Sequence, residues 1–436
     1  MARNLALLFH AEPPDDEHLG ALFYNREVEK KRSRAFLMGE LPRVPLSVHG
    51  PTRSGKSHFA RLVVREAIEA GAPFTEVLVR ASDKTTPRRV LAMMFHAVLA
   101  KLPQFPDGFS TDAHDAWQRS LGEFHAMRAL VEDPSRVVDV EMSESEARSR
   151  SLRFGVSFAP SLTLKQPGVA PSLSPEPKVE ARVDLGGNRD TSSASARKVR
   201  VQQSLPTDES VVELILALLE LRRQVEPGRR VLFLVDDLDL LDPRRESGDA
   251  CSALVASLYA LASSGRCAVL VTVRSDAHLD RDKELRPLVA IDPFGDPDEL
   301  VAIYALRIAR FHEGNEVFTP EAVRWLAEHV DGSVGMFLQH CDDVSGKIDD
   351  AAWPIPLDVL KTTLRRQFEQ WARDPELGFI IGSVRRAVVD DRAMQIGFDE
   401  DLPPNKLHLR LLTRIVGQRA RYAISPLYFH ALRDGR

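Results

Sequence analysis

Eight consecutive residues, Gly50-Pro51-Thr52-Arg53-Ser54-Gly55-Lys56-Ser57, set two glycines, a lysine and a hydroxyl at the spacing G-x-x-x-x-G-K-S. A triphosphate concentrates negative charge, and a chain holds it by turning backbone N–H groups inward around it; glycine lets the loop curl closely enough. Within this cradle Lys56 adds a point charge at the β- and γ-phosphates and Ser57 offers an oxygen to Mg²⁺. His58 belongs to the same set, at the positive N-terminal end of the helix that the apolar spacing predicts over 58–70. An apolar run, Leu46 to Val48, reads as a buried strand entering the loop.

A second constellation lies about 180 residues on, at Arg230-Val-Leu-Phe-Leu-Val-Asp236-Asp237-Leu-Asp239. Five consecutive apolar residues describe a strand buried on both faces of a parallel sheet, here delivering acids at its C-terminal end. Asp236 is the expected Mg²⁺ ligand, directly or through water, since a hard cation bound to phosphates keeps only one or two protein oxygens. Asp237 is placed to orient or deprotonate an attacking water. A third strand, Arg266-Cys-Ala-Val-Leu-Val-Thr272-Val-Arg274, brings polar ends beside the phosphates, where Thr272 and Arg274 can report on hydrolysis; Arg274 reads equally as a strand-end charge in solvent. Lys56, Asp237 and Arg274 are the candidate catalytic residues.

The elements that must carry these groups alternate as strand and helix. Strand Phe74–Arg80 and helix 87–102 continue the βαβ pattern. A helix over 113–131 follows, and residues 136–206 read as an insertion: a β-hairpin from strands at 152–158 and 179–185, with a disordered Ser- and Pro-rich tip at 167–197. Arg189, Arg197, Lys198 and Arg200 give that segment charge for a partner, or merely solvate it. Helices at 209–225 and 251–263 flank the acidic strand.

The loop followed by the acidic strand resembles the Walker A and Walker B pair of P-loop NTPases, and further residues narrow the likeness. Phe23-Tyr-Asn-Arg26-Glu-Val-Glu29, about 25 residues before the loop, resembles the lead-in of AAA+ and STAND ATPases; that resemblance puts Arg26 near the adenine, whereas the residues alone describe an amphipathic entry helix. The Thr-x-Arg strand ending and the double acid Asp236-Asp237 resemble STAND members more than most AAA+ members. Ile291-Asp-Pro-Phe-Gly-Asp-Pro-Asp-Glu299 and the helix after it, ending in Arg307 or Arg310, resemble the start of the helical lid in archaeal origin-recognition ATPases. AAA+ lids usually offer the phosphates an arginine at the position where this chain reads Gly332-Ser-Val-Gly335. Arg281 and Arg286 fall where oligomeric members carry an intersubunit arginine finger.

These readings predict an α/β fold: a P-loop NTPase parallel sheet core at 44–292, after a lead-in at 1–43, with a helical lid at 293–354 and a C-terminal winged-helix-like domain at 355–436. That last unit reads as helices at 357–371, 378–389 and 405–417, a strand near 419–424 and a closing helix. It carries 14 Lys/Arg against 10 Asp/Glu, in a chain of net charge −5, and Lys406, Arg410, Arg414, Arg419 and Arg421 cluster within it. A local basic face fits phosphate-backbone binding, and the same fold serves equally for protein contacts.

The expected ligands are ATP and Mg²⁺, ATP because no Asn-Lys-x-Asp guanine-reading motif is present. Expected partners are DNA at the basic face and a second copy of the chain or another protein; turnover is slow, with nucleotide state controlling assembly. The competing reading is a nucleotide-gated signalling scaffold whose output is protein binding. The overall negative charge excludes a wholly basic nucleic-acid coat. Cys251, Cys267 and Cys341 have no metal-like spacing and read as buried thiols. The longest apolar runs fall short of a membrane span, which with the thiols gives a cytoplasmic expectation.

Overall fold

The computed structural model describes residues 8–9, 20, 22–39, 43–82, 84–105, 111–133, 138–143, 198–203, 207–241, 249–274, 288–349, 352–374, 377–390, 394–398, 402, 411–414 and 421–434. After helix α1 (Glu27–Leu37), strand β1 (Leu46–Gly50) leads to α2 (Lys56–Glu69), β2 (Phe74–Arg80) and α3 (Pro87–Ala100). Next come α4 (Thr111–Glu132), strands β3 (Val138–Ser143) and β4 (Lys198–Gln203), and α5 (Asp208–Val225). Strand β5 (Arg230–Asp236), a 3-10 turn at Leu238–Leu241, α6 (Asp249–Ser263), β6 (Cys267–Arg274) and β7 (Leu288–Ala290) follow. The remaining elements are α7 (Pro297–Phe311), α8 (Pro320–Glu328), α9 (Val334–Ser345), α10 (Leu357–Trp371), α11 (Gly378–Asp390), β8 (Gln395–Gly397), β9 (Leu412–Arg414), β10 (Arg421–Ile424) and α12 (Pro426–Arg433).

Strands β2, β5, β6, β1 and β7 pair in that order into a five-stranded sheet, every pair parallel. Alternation along each strand decides which side a residue packs on. Val231, Phe233 and Val235 of β5, with Val269, Val271 and Val273 of β6, join the apolar cluster beneath α3, α4, α5 and α6. Leu232, Leu234 and Leu270 join the opposite cluster beneath α1 and α2. Both faces are therefore covered, as the unbroken apolar runs require. Each such side chain contributes about 1.5–3 kcal/mol by burial.

Helix starts follow local chemistry. Thr86, Thr207, Thr319 and Ser333 each accept a hydrogen bond from a backbone N–H in the first turn of the helix they cap, and Pro87, Pro297 and Pro320 occupy first helical positions, where proline loses no bond. The buried Arg88 donates to the carbonyls of Leu130, Val131 and Thr207, so the segments on either side of the insertion are tied to α3.

The insertion contains an antiparallel pair, but it is β3 with β4, at 138–143 and 198–203. The strands expected at 152–158 and 179–185 lie outside the described residues, as do Arg189 and Arg197. A second departure is in the C-terminal unit. Residues 412–414, expected inside a helix, are a strand that pairs antiparallel with β10, which also pairs with β8. Leu412 is buried against Ile424 by that pairing, and sheet formation overrides a local helical pattern. Among the described residues, the lid helices α7 to α9 and the C-terminal elements share one apolar cluster, which extends from Leu8 and Phe9 to Ala431. No helix of the described residues is long and apolar enough to cross a membrane. The three cysteines are free and buried.

Candidate functional site

The parallel register aligns the strand ends that carry the candidate residues: Gly50 lies opposite Arg274, and Arg80 opposite Asp236. Strand β1 sits between β6 and β7 while the chain leaves it for the far edge at β2, so the loop after Gly50 occupies the point where strand order reverses, the usual crevice for a ligand.

The loop has little freedom. A Cβ on Gly50 would overlap the Ile291 carbonyl and crowd Ser54 Oγ at 2.5 Å, and Gly55 adopts φ 92°, open to glycine without strain. Arg53 also lies in the left-handed region, at φ 65°. Ser54 Oγ is buried without a hydrogen-bond partner. Pro51 and Arg53 are half-buried and Thr52 is exposed. Lys56, 6% exposed, donates from Nζ to the Pro51 carbonyl at 2.8 Å. Burial lowers its pKa, opposed by the carboxylates of Asp239, Asp237 and Asp236.

Ser57 and Asp236, 179 residues apart in sequence, meet with the serine hydroxyl 2.8 Å from Oδ1 of the carboxylate. The same Oδ1 accepts the hydroxyl of Thr272 at 2.5 Å, and Thr272 Oγ1 accepts the amide of Asp237 at 2.9 Å. Thr272 is fully buried, so its hydroxyl serves the acidic strand tip. Asp237, at φ 58°, has its pKa pushed up to about 6 by burial and by Asp236 and Asp239, against the pull of Lys56 and Arg80. Among the described residues no three His, Cys, Asp or Glu side chains group to hold a metal; a serine hydroxyl beside one carboxylate is instead the donor set that Mg²⁺ takes when phosphates supply its other oxygens.

Arg274 reaches the site edge, where its backbone N–H donates to Asp239 Oδ1 at 3.0 Å and its Nε lies 3.6 Å from Oδ2. Asp239 is a residue that sequence reasoning quoted without a role; its burial, which raises its pKa, and its pairing with Arg274 make it part of the same charged cluster. Arg80, whose Nε lies 3.9 Å from Asp236 Oδ2, was likewise missed. Its position at the end of β2 was the available signal.

The other predicted residues fall at the margins. His58 packs edge-on against Phe23, ring centroids 5.2 Å apart. Arg26 lies 4.4 Å over the Phe294 ring and donates to the Asp292 carbonyl, beside a cavity of about 210 Å³ between residues 25–29 and the start of the lid. Arg307, named as a possible end of the first lid helix, lies inside α7, where it is buried and donates to the Leu8 carbonyl. Arg281, Arg286, Lys406, Arg410 and Arg419 lie outside the described residues.

No protein-family model and no curated protein sequence matches the chain. Among solved structures it is similar to the Aeropyrum pernix Orc1 protein in complex with DNA, at 14% identity and TM-score 0.43, over 96% of this chain and 95% of that one. It is also similar to domain III of the Thermotoga maritima replication initiation protein DnaA, at 9% identity and TM-score 0.32, over 84% of this chain and 98% of that one. The sheet order, the curled loop after β1 and the acidic tip of β5 give this chain the α/β P-loop NTPase fold.

Proposed function

We propose that the chain is an AAA+/STAND-type ATPase, which binds ATP with Mg²⁺, hydrolyses it slowly and uses nucleotide state to control assembly. The observation that carries this reading is the 2.8 Å contact between Ser57 and Asp236, which joins the phosphate loop to the acidic strand. The residues fit the group: Gly50 admits no side chain, and the buried Ser54 hydroxyl has no protein partner. Lys56 and the loop amides would hold the phosphates, with Ser57 and Asp236 on the metal. Bound Mg²⁺ supplies neutralisation of phosphate charge. Asp237 takes the proton of an attacking water or orients it, Thr272 fixes the two acids relative to each other, and Arg274, steered by Asp239, adds positive charge at the rim.

A finer reading concerns the C-terminal unit. Helices α10 and α11 with the three-stranded sheet β8-β10-β9 support a winged-helix-like domain, and its excess of basic residues supports contact with DNA. Arg421, exposed on β10, is the member of the basic cluster whose side chain is among those described. The test is phosphate release with and without duplex DNA at two salt concentrations, alongside sizing with and without ATP. Salt-sensitive stimulation that disappears when Lys406, Arg410, Arg414, Arg419 and Arg421 are neutralised supports DNA as the partner. ATP-dependent oligomers with DNA-indifferent hydrolysis favour the signalling scaffold, and no Lys56-dependent nucleotide binding defeats both.

A further inference from the structure

The lid reaches the phosphate loop through backbone. Gly335 donates its N–H to the Arg53 carbonyl at 2.9 Å, and the Ser333 hydroxyl donates to the same oxygen at 3.3 Å. Both belong to the N-terminal turn of α9, whose first amides have no partner within the helix. The approach is close: a Cβ on Gly335 would stand 2.5 Å from the Cβ of Arg53 and 3.0 Å from its carbonyl oxygen. Arg53 lies across this junction, with Nη1 2.9 Å from Met336 Sδ. One turn earlier the Gly332 carbonyl accepts the amide of Phe294 at 3.0 Å, and Phe294 carries Arg26 on its ring. The grip on the loop thus continues into the contact between the lid and the lead-in segment.

A peptide unit is planar and trans, so its C=O and N–H point in opposite directions. With the Arg53 carbonyl held by the lid, the amide of Ser54 points the other way, where it donates to the Pro51 carbonyl at 3.3 Å and closes the turn of the loop. A reversal of this unit would break that bond and turn the Arg53 carbonyl toward that of Pro51, opening the curl of the loop. Arg53 is in the left-handed region, which a side chain adopts only when its surroundings impose it.

We propose that Gly335 and Ser333 are positioning residues of the nucleotide site: their grip on the Arg53 carbonyl fixes the 53–54 peptide, and with it the Ser54–Pro51 bond that curls the phosphate loop, which makes lid docking and triphosphate retention one event. This rests on reading the loop as a nucleotide site. It gives the Gly332–Gly335 turn a task in place of a lid arginine. It also explains why position 335 is a glycine.

The test is Gly335→Ala in the full chain, against wild type, Arg53→Gly and the double variant, with Lys56→Ala as a control. Dissociation of a fluorescent ATP analogue is measured in each, together with amide hydrogen exchange of residues 50–57 without nucleotide. Gly335→Ala is expected to speed dissociation about tenfold, the worth of one or two ordinary hydrogen bonds, and to speed exchange in 50–57. Arg53→Gly removes the Cβ that the new methyl meets, so in its background Gly335→Ala should have less than a threefold effect. Unchanged dissociation and exchange in Gly335→Ala, or an equal loss with and without Arg53→Gly, overturns the proposal while Lys56-dependent binding in wild type keeps the site reading intact. Absence of Lys56-dependent binding in wild type overturns the site reading itself, and the clasp's role with it.

Discussion

The hydroxyl of Thr272 lies 2.5 Å from Oδ1 of Asp236, across the boundary between β6 and β5. Its oxygen also receives the Asp237 amide, so one buried side chain sets the orientation of two adjacent acids. Thr272→Val keeps the shape and removes both bonds, leaving a buried amide unpaired, and should cost about 1–3 kcal/mol of stability. Urea unfolding measures it, and a loss below about 0.5 kcal/mol would mean that water replaces the hydroxyl.

Lys56 donates to the Pro51 carbonyl, and in the proposed function its charge serves the phosphates. Lys56→Ala should weaken ATP binding about 10- to 100-fold, matching the 1.5–3 kcal/mol of a charged hydrogen bond, with little change in the unfolding midpoint. Calorimetric titration with ATP and Mg²⁺ checks this. Equal affinity in both proteins would remove the basis for the proposed activity.

Two glycines should respond oppositely to alanine. At Gly50 the new methyl overlaps the Ile291 carbonyl, so Gly50→Ala should destabilise by about 1–3 kcal/mol and abolish nucleotide retention. Gly122, within α4, has nothing within 4 Å of its added methyl, and Gly122→Ala should stabilise by about 0.5–1 kcal/mol. Thermal unfolding of the two variants decides the matter, and the same sign for both would count against the described packing.

The lid and the C-terminal helix meet at His329 and His430, ring centroids 4.6 Å apart. Burial holds the His430 pKa below its usual 6.5, with His329, Arg433 and Lys361 acting the same way and Asp434 against them. The folded state then binds fewer protons than the unfolded chain, so stability is fully present above about pH 6.5 and falls as pH drops through the window down to the lowered folded value. His96, also lowered by burial and Arg128, adds to this slope. Asp434, lowered chiefly by its bond to Lys361, acts in a separate window below its ordinary 3.8. His430→Gln should flatten the slope between pH 7 and 5.5 in denaturant titrations; an unchanged slope would assign it to other groups.

The candidate site was legible where chemistry demands a local pattern. The Gly50–Ser57 spacing and the apolar run ending at Asp236 each announce themselves, because a curled loop and a doubly covered strand tolerate few other residues. The clasp between Gly335 and Arg53 was not legible, since a backbone amide meeting a backbone carbonyl leaves no side-chain signature at either position. Thr272 was found, but its partner was not: a threonine at a strand end reads alike whether its hydroxyl faces a ligand or the neighbouring strand. The helix expected across 412–414 failed because its leucines fit both periodicities, and only the presence of β10 beside them decides.

One further consequence follows from the single apolar cluster that runs through α7–α12. Side chains interleaved in this way resist sliding past one another, so the lid and the unit beyond it are expected to move together as one stiff arm. Its short end rests on the phosphate loop. By leverage alone, a small tilt at Arg53 would be expected to shift the distal strands by more.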